Sequence, residues 1–468
     1  MRTQKDCQDN MKIDHPTRQL CERIVATDFQ SLDAPTVAKV KEAIIDGLAV
    51  ALAGCKQKPV AILADYVRKL GAAPVASVWG LDFKTSVVSA AFVNAAAVHV
   101  LDYEPMSLPS THAVSPVLPA VIALAETASS SGRDIITACA KGFEMQQRIL
   151  YCATPTPRAQ QRFHQLGMVG VMGSAVAAAH MLGLDSLQTC NTVGMAASRA
   201  GAVLGNAGSM TKCSHAGNAA AAGLEAALLS QCGFDANPDI LEHEKGYVAA
   251  FCTSGPFDYE KFLEFGKPFR VVEPGMAYKF FPSKYPTQFA ISAALELHKQ
   301  IGDPARIARV ELTTPVMHDV DRPDPKSGLE GKFSFQYTTA VALLDGKIRI
   351  DSFSDQRRFS PDVVALLPRV KVIPSKDITE AFHKMHVELM VETTDGKRYK
   401  TECRKPMGFW GVAIKPEEHR VKIQDCMSQV LDDKKIEEIV KLTAALETLE
   451  ADGVKRLISM LKGNQGAR

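Results

Sequence analysis

The chain has no C-x-x-C pair among its 11 cysteines, no block of basic residues and no nucleotide-binding glycine loop. Each absence removes a class of function. The cysteines are odd in number and scattered from Cys7 to Cys426. That argues against a disulfide scaffold, a structural zinc site or an iron–sulfur cluster. They read as small buried hydrophobes in a reducing compartment. A formal net charge of +2 without a basic patch excludes nucleic acid and anionic membrane surfaces as partners. The first twenty residues are polar and lack the apolar core of a secretory signal. The expected compartment is therefore the cytoplasm, with the mitochondrion left open. The longest stretch free of Asp, Glu, Lys and Arg, residues 163–184, is rich in Gly and Ala. It reads as a buried, tightly packed helix and not as a membrane span. Its Gly167, Gly170 and Gly173 have no preceding strand and no following acid at the spacing of a dinucleotide site.

What is present is the composition of a globular protein, 46% hydrophobic and 23% charged. Its 468 residues exceed one ordinary core, so two domains are expected. Residues 31–54 read as a helix, with Asp33 placed to cap it and Pro35 in its first turn. Val37, Val40, Ile44, Leu48 and Leu52 mark its apolar face, and Gly54 its stop. Residues 59–70 follow as a second helix and 75–79 as a short extended piece. Further helices are expected at 87–101, 117–129, 133–150, 169–182, 186–199 and 218–231. Several are apolar nearly all round and must lie inside a large helical core. The pattern changes near Pro268. Residues 306–314 and 386–391 alternate as strands, and Thr394-Asp395-Gly396 turns the second back through 398–401. Residues 291–300 and 335–344 read as helices, and 319–331 as a polar loop. After Trp410 the pattern is helical again. The expected fold is mainly α. An all-helical domain is formed by both chain ends, 1–267 and 408–468, with an inserted α+β domain at 268–407.

Four polar stretches interrupt this apolar background. The first runs from His99 through Asp102 and Glu104 to His112, between two apolar helices. Pro105 and Pro109 prevent one continuous helix, so its side chains sit on a bend. Buried ionisable groups there have to be paired, solvated or functional. The second is Arg162 and His164 at a helix start, a natural anion site. The third is Lys212 and His215, after a Gly/Ser segment, where the ammonium suits a substrate carboxylate. The fourth is Lys279 and Lys284 at the domain junction, a favoured place for a pocket. Alone, each is equally an ordinary capped helix, solvated helix entry or hinge. Together they gather cations and histidines around one or two carboxylates. That pattern suits proton transfer on a polyanionic small molecule.

The chain also resembles the MmgE/PrpD family, which includes 2-methylcitrate dehydratases, cis-aconitate decarboxylases and iminodisuccinate epimerases. The carrying pieces are AAFVNAAAVHVLDYEP (90–105), PSTHAVSPVLPAVIALAE (109–126), RFHQLGMVGVMGSAVAAAHMLGL (162–184), MTKCSHAGNAAAAGLEAALLS (210–230), YKFFPSKYPTQ (278–288) and FSFQYTTAVALLDG (333–346). The resemblance makes the α+β domain at 268–407 a lid. It implies a homodimer with no metal or organic cofactor, acting on a small polycarboxylate between helical domain and lid. It implies catalytic roles for Asp102, His112, His164 and Lys212. Met106, Lys284, Arg162 and His215 would contact substrate. Two positions depart from the family pattern: Met106 stands where threonine is frequent, and Lys284 where histidine is frequent. The activity implied is a cofactor-free lyase, dehydrating a 2-alkylcitrate or decarboxylating a cis-aconitate-type acid. An amino-dicarboxylate epimerase and a non-catalytic carboxylate-binding paralogue are the alternatives.

Overall fold

The computed structural model describes residues 13–157 and 160–463. Residues 1–12, on which the absence of a secretory segment largely rests, lie outside the described residues. The first half is helical: α1 (Pro16–Ala26), α2 (Ala34–Gly54), α3 (Lys58–Leu70), α4 (Val87–Val100), α5 (Val114–Thr127), α6 (Gly132–Cys152), α7 (Gln165–Met181), α8 (Ser186–Ala197) and α9 (Thr211–Gln231). The expected capping of α2 is present, with Asp33 accepting the Thr36 N–H at 2.9 Å. Helices α4, α5, α6, α7 and α9 pack together as the centre of the molecule. Small residues make this approach possible. A Cβ on Gly173 would lie 2.5 Å from the Gly142 carbonyl of α6, and one on Gly223 2.6 Å from the Ala175 nitrogen of α7. Among the described residues no helix is long and apolar enough to cross a membrane.

Two short helices, α10 (Tyr247–Phe251) and α11 (Tyr259–Leu263), lead towards α12 (Tyr285–Ile301). A hairpin of β1 (Ala76–Ser77) and β2 (Lys84–Thr85) lies earlier in the chain. The main sheet consists of β3 (Ile307–Pro315), β4 (Val370–Ser375), β5 (Val387–Thr393) and β6 (Arg398–Cys403). Its order is β4-β3-β5-β6, with β3 and β4 parallel and the other pairs antiparallel. Between β3 and β4 run α13 (Gly328–Gly331), α14 (Phe335–Asp345), α15 (Asp355–Arg358) and α16 (Pro361–Leu366). Helix α12 covers β5 and β6, and α14 packs on α12 and β4.

The last helices, α17 (Pro416–Met427), α18 (Asp433–Ala444) and α19 (Ala451–Met460), return to the first half. Helices α17 and α18 pack on α2, and α19 packs on α5. A buried charge group fastens α17. Lys422 Nζ binds Asp46 of α2 at 2.9 and 2.7 Å, and His419 Nε2 reaches the same carboxylate at 2.9 Å. Lys422 also donates to the Tyr103 carbonyl at 3.0 Å, one residue past Asp102.

Several elements differ from the sequence reading; α7 and α12 begin four and six residues before the expected starts, at Gln165 and Tyr285. Helix α9 begins at Thr211, seven residues before the expected start. The bare Cα of Gly217 lets α9 lie against α4: a Cβ there would sit 2.6 Å from the Phe92 carbonyl. Helix α5 begins at Val114 because Pro116 falls in its first turn, where no N–H is needed. Strand β4 was not anticipated. It is a sheet edge with little burial beyond Val370, so it carries no alternating apolar signature.

Candidate active site

The bend predicted between α4 and α5 is irregular and buried, and Asp102 sits at its start with φ +53°. That left-handed conformation is uncommon outside glycine, although Asp tolerates it better than most residues. It directs the carboxylate towards α9 and the chain before α12. Lys212, in the first turn of α9, donates to Asp102 Oδ2 at 3.0 Å. Lys279 donates to the Asp102 carbonyl at 2.8 Å and also binds Oδ1. Burial alone would raise the Asp102 pKa, but Lys212 and Lys279 hold it well below the usual carboxylate range.

Glu104, two residues on, is fully buried. Its Oε1 contacts His99 Nδ1 at 2.6 Å, and its Oε2 accepts the Ser115 N–H at the start of α5 at 2.9 Å. His112 Nδ1 lies 3.5 Å from Glu104 Oε1, and its Nε2 lies 3.9 Å from Asp102 Oδ1. Burial raises Glu104 to about 8, against the Ser115 hydrogen bond and the pull of Lys279. It is therefore mostly a neutral acid at pH 7. Burial, with Lys279 next, pushes the His112 pKa well below the ordinary histidine value. Burial, with Lys212 next, does the same for His99.

His164 caps α7 and meets His215 of α9, Nδ1 to Nδ1, at 3.1 Å. The four imidazoles form a chain, with ring centroids 4.8 Å apart for His99–His112, 5.6 Å for His99–His164 and 5.3 Å for His164–His215. His164 enters this chain as a neutral ring, which corrects the expectation that it adds positive charge. Burial, then Lys212 and His215, lower its pKa to about 3. It retains a hydrogen bond to offer, not a charge.

Lys332 completes the group from just before α14. Its side chain is buried, with the ammonium 5.7 Å from the Phe353 ring centre. Its carbonyl accepts the Lys284 N–H at 3.0 Å. Burial lowers its pKa to about 8, with Asp102 opposing and Lys212 and Lys279 adding to the shift.

The structure thus brings Asp102, His112, His164, Lys212 and His215 together. Met106 lies at the edge of this group and contributes backbone. It pairs with Ala277 through N–H···O bonds of 2.8 and 2.7 Å, and its carbonyl accepts the Trp410 indole N–H at 3.1 Å. Lys284 caps α12 and pairs with Asp319. Arg162 is exposed and stands outside the buried group. Sequence reasoning gave no role to His99, Glu104 or Lys332, and named Lys279 without a partner. His99 did carry a signal, as a histidine in the otherwise apolar α4. Nothing in the pattern marked Lys332.

The ligand atoms of His99, Glu104 and His112 lie within 4.8 Å of one another. His99 and Glu104 nevertheless touch directly at 2.6 Å, and ammonium groups surround the adjacent carboxylate. This arrangement is a proton-sharing set, not a cation cage. Three lysines, Lys212, Lys279 and Lys332, thus gather around one carboxylate, Asp102, which Lys212 and Lys279 hold ionised. Buried surplus charge of this kind calls for an anionic ligand.

Residues 18–260 match the model of the MmgE/PrpD N-terminal domain, and residues 281–448 that of the MmgE/PrpD C-terminal domain. The cis-aconitate decarboxylase of Mus musculus is 31% identical over 439 residues, covering 91% of this chain and 89% of the relative. That of Homo sapiens is 31% identical over 438 residues, covering 91% and 90%. The 2-methylcitrate dehydratase of Cupriavidus necator is 25% identical over 343 residues, covering 66% and 67%.

Proposed function

The chain belongs to the MmgE/PrpD family, and we propose that it is a lyase acting on a citrate- or aconitate-like polycarboxylic acid, with decarboxylation of cis-aconitate as its reaction. The observation that carries this reading is the buried surplus of ammonium groups around Asp102, next to a chain of neutral imidazoles. The higher identity and longer coverage of the Mus musculus and Homo sapiens decarboxylases support decarboxylation over dehydration. Residues 268–407 act as a lid in this reading, supported by the entry of Lys279 and Lys332 from that segment. The homodimer belongs to the same proposal.

Lys212, Lys279 and Lys332 hold the substrate carboxylates, and Lys212 and Lys279 stabilise negative charge as it develops. The bond from a methylene carbon to its carboxylate breaks, releasing CO₂. Its electron pair forms a new double bond to the central carbon. The electrons of the old double bond take a proton at the far carbon, beside a carboxylate. His112 delivers that proton through Nε2, the nitrogen on the Asp102 side. Asp102 keeps Lys212 and Lys279 in place, and within the His164–His215 pair the ring that accepts at Nδ1 carries its proton on Nε2 and donates it to a carboxylate oxygen.

The test is incubation with cis-aconitate, citrate, 2-methylcitrate and iminodisuccinate in D₂O, read by NMR. The expected result is CO₂ release from cis-aconitate, with one deuteron at carbon in the product. Water loss from 2-methylcitrate alone, or deuterium in recovered iminodisuccinate, would reject decarboxylation. A Lys332→Met variant is expected to raise KM by roughly one to two orders of magnitude, the loss of a charged hydrogen bond of about 1.5–3 kcal/mol, with little change in kcat. Steady-state kinetics at pH 7 check this, and a fall in kcat at constant KM would remove Lys332 from substrate binding.

A further inference from the structure

We infer that Glu104 is the positioning residue behind His112, replacing at Nδ1, through the 3.5 Å contact, the proton that His112 passes on from Nε2, while His99 holds Glu104 in place. This deepens the proposed function and rests on His112 being the proton-transfer group.

The inference follows from counting donors around one oxygen. Glu104 Oε2 is occupied by the Ser115 N–H, so the carboxyl proton belongs on Oε1. Oε1 meets two imidazole nitrogens, His99 Nδ1 at 2.6 Å and His112 Nδ1 at 3.5 Å. A protonated carboxyl oxygen has one proton to give and accepts one in return. The two imidazoles must therefore be opposite tautomers. Of the two arrangements, the one that leaves His112 a proton on Nε2 to deliver has His99 Nδ1–H donating to Oε1 and the Oε1 proton pointing at the unprotonated Nδ1 of His112. His112 then carries its own proton on Nε2, on the Asp102 side. Among the described residues His112 Nδ1 has no hydrogen-bond partner, although it is buried, so this acceptor is open. Catalytic hydrogen bonds of this length commonly tighten when substrate is bound.

The transfer balances. The Nε2–H bond of His112 breaks as the proton bonds to the substrate carbon. The Glu104 Oε1 proton moves to His112 Nδ1, which leaves His112 neutral in its other tautomer. Glu104 becomes a carboxylate, now accepting from His99 Nδ1, His112 Nδ1 and Ser115. Water re-protonates the set after product leaves. His99 stays neutral throughout.

The groups facing this set oppose one another, and burial decides the outcome. Asp102 disfavours Glu104 ionisation, whereas Lys279 and the Ser115 N–H favour it. Lys279, Lys212 and His164 disfavour a charged His112, and Asp102 favours one. With burial, the result is a Glu104 that keeps its proton up to about pH 8. The active form is the protonated one, so kcat falls as pH rises past that range. Substrate carboxylates move this limb upward.

A Glu104→Gln variant keeps the shape and can still donate to His112, but its amide proton cannot leave. Its kcat is expected to fall on the order of 10- to 100-fold and its alkaline limb to vanish, with KM nearly unchanged. A merely structural role would not move the pH profile. Glu104→Asp keeps the acid but shortens the arm, and is expected to restore the limb with only part of the rate. On the wild-type protein, ¹⁵N-histidine NMR is expected to show His99 as the Nδ1–H and His112 as the Nε2–H tautomer at pH 7. His112 should change to Nδ1–H as Glu104 ionises. This measurement needs neither a variant nor turnover. If cis-aconitate were inert but the tautomers held, the proposed function would fail and this inference stand. An Nδ1–H tautomer of His112 at pH 7 overturns it. So does a Glu104→Gln enzyme with wild-type kcat and pH profile, or stoichiometric zinc lost in that variant.

Discussion

A His112→Ala variant is expected to lose on the order of 10²–10⁴ in kcat, about 3–5.5 kcal/mol of barrier, while holding substrate nearly as well as the wild type. The size follows from position. His112 is the one imidazole between the two acidic side chains of the site, with Nδ1 towards Glu104 and Nε2 towards Asp102. Burial keeps the ring neutral across the physiological range, so it carries a transferable proton without charge. The neighbouring histidines cannot replace it. His99 is committed to Glu104, and His164 is paired with His215. The carboxylate-binding ammoniums remain, so KM should change little. Truncation removes a buried ring in contact with His99, and some stability will be lost as well. His112→Asn keeps more of the volume and separates the two effects. Wild-type kcat in both variants would remove His112 from proton transfer. A rise in KM at constant kcat would make it a binding residue.

The central apolar helices and their close packing were legible because a helix apolar all round has one physical solution, burial among others. The bend from Asp102 to His112 was legible for a related reason: two prolines and two carboxylates cannot continue a buried helix. What the linear pattern could not show was pairing across the fold. Lys279 and Lys212 are far apart in sequence, and only the folded chain brings both onto Asp102. Charge state was also hidden. His164 reads as a cation by residue type, and burial beside Lys212 makes it neutral. Lys332 reads as a surface lysine before a helix, and its burial depends on how α14 meets the sheet and α12. Glu104 was visible only as one of the carboxylates in the bend, but its importance lies in the two imidazoles that share one of its oxygens. Helix starts were placed too late for α5 and α9, which include Pro116 and Gly217.

Lys422→Met is expected to be the most destabilising of the substitutions considered, at about 3–5 kcal/mol, because it breaks a buried ion pair and leaves one partner behind. Asp46 is 0% exposed and Lys422 3%, so neither is rescued by solvent. Without the ammonium, Asp46 keeps only His419, and the Tyr103 carbonyl loses its 3.0 Å donor. The loss should appear as a lower denaturation midpoint in urea. Replacing both partners, Asp46→Leu with Lys422→Met, should recover much of the stability, since the pair's attraction mainly offsets its own desolvation. Acid adds a second handle. Burial would raise the Asp46 pKa, but Lys422 and His419 hold it below its ordinary value. Its contribution is therefore complete above the unfolded value, about 3.9, and is lost as pH falls through the lower folded value. The Asp46→Leu, Lys422→Met protein should accordingly unfold in acid with a shallower pH dependence. Stability recovered without activity would show what the pair is for: Lys422 holds the backbone at Tyr103, and Asp102, one residue earlier, keeps its left-handed conformation and its aim at Lys212 only while that anchor is in place.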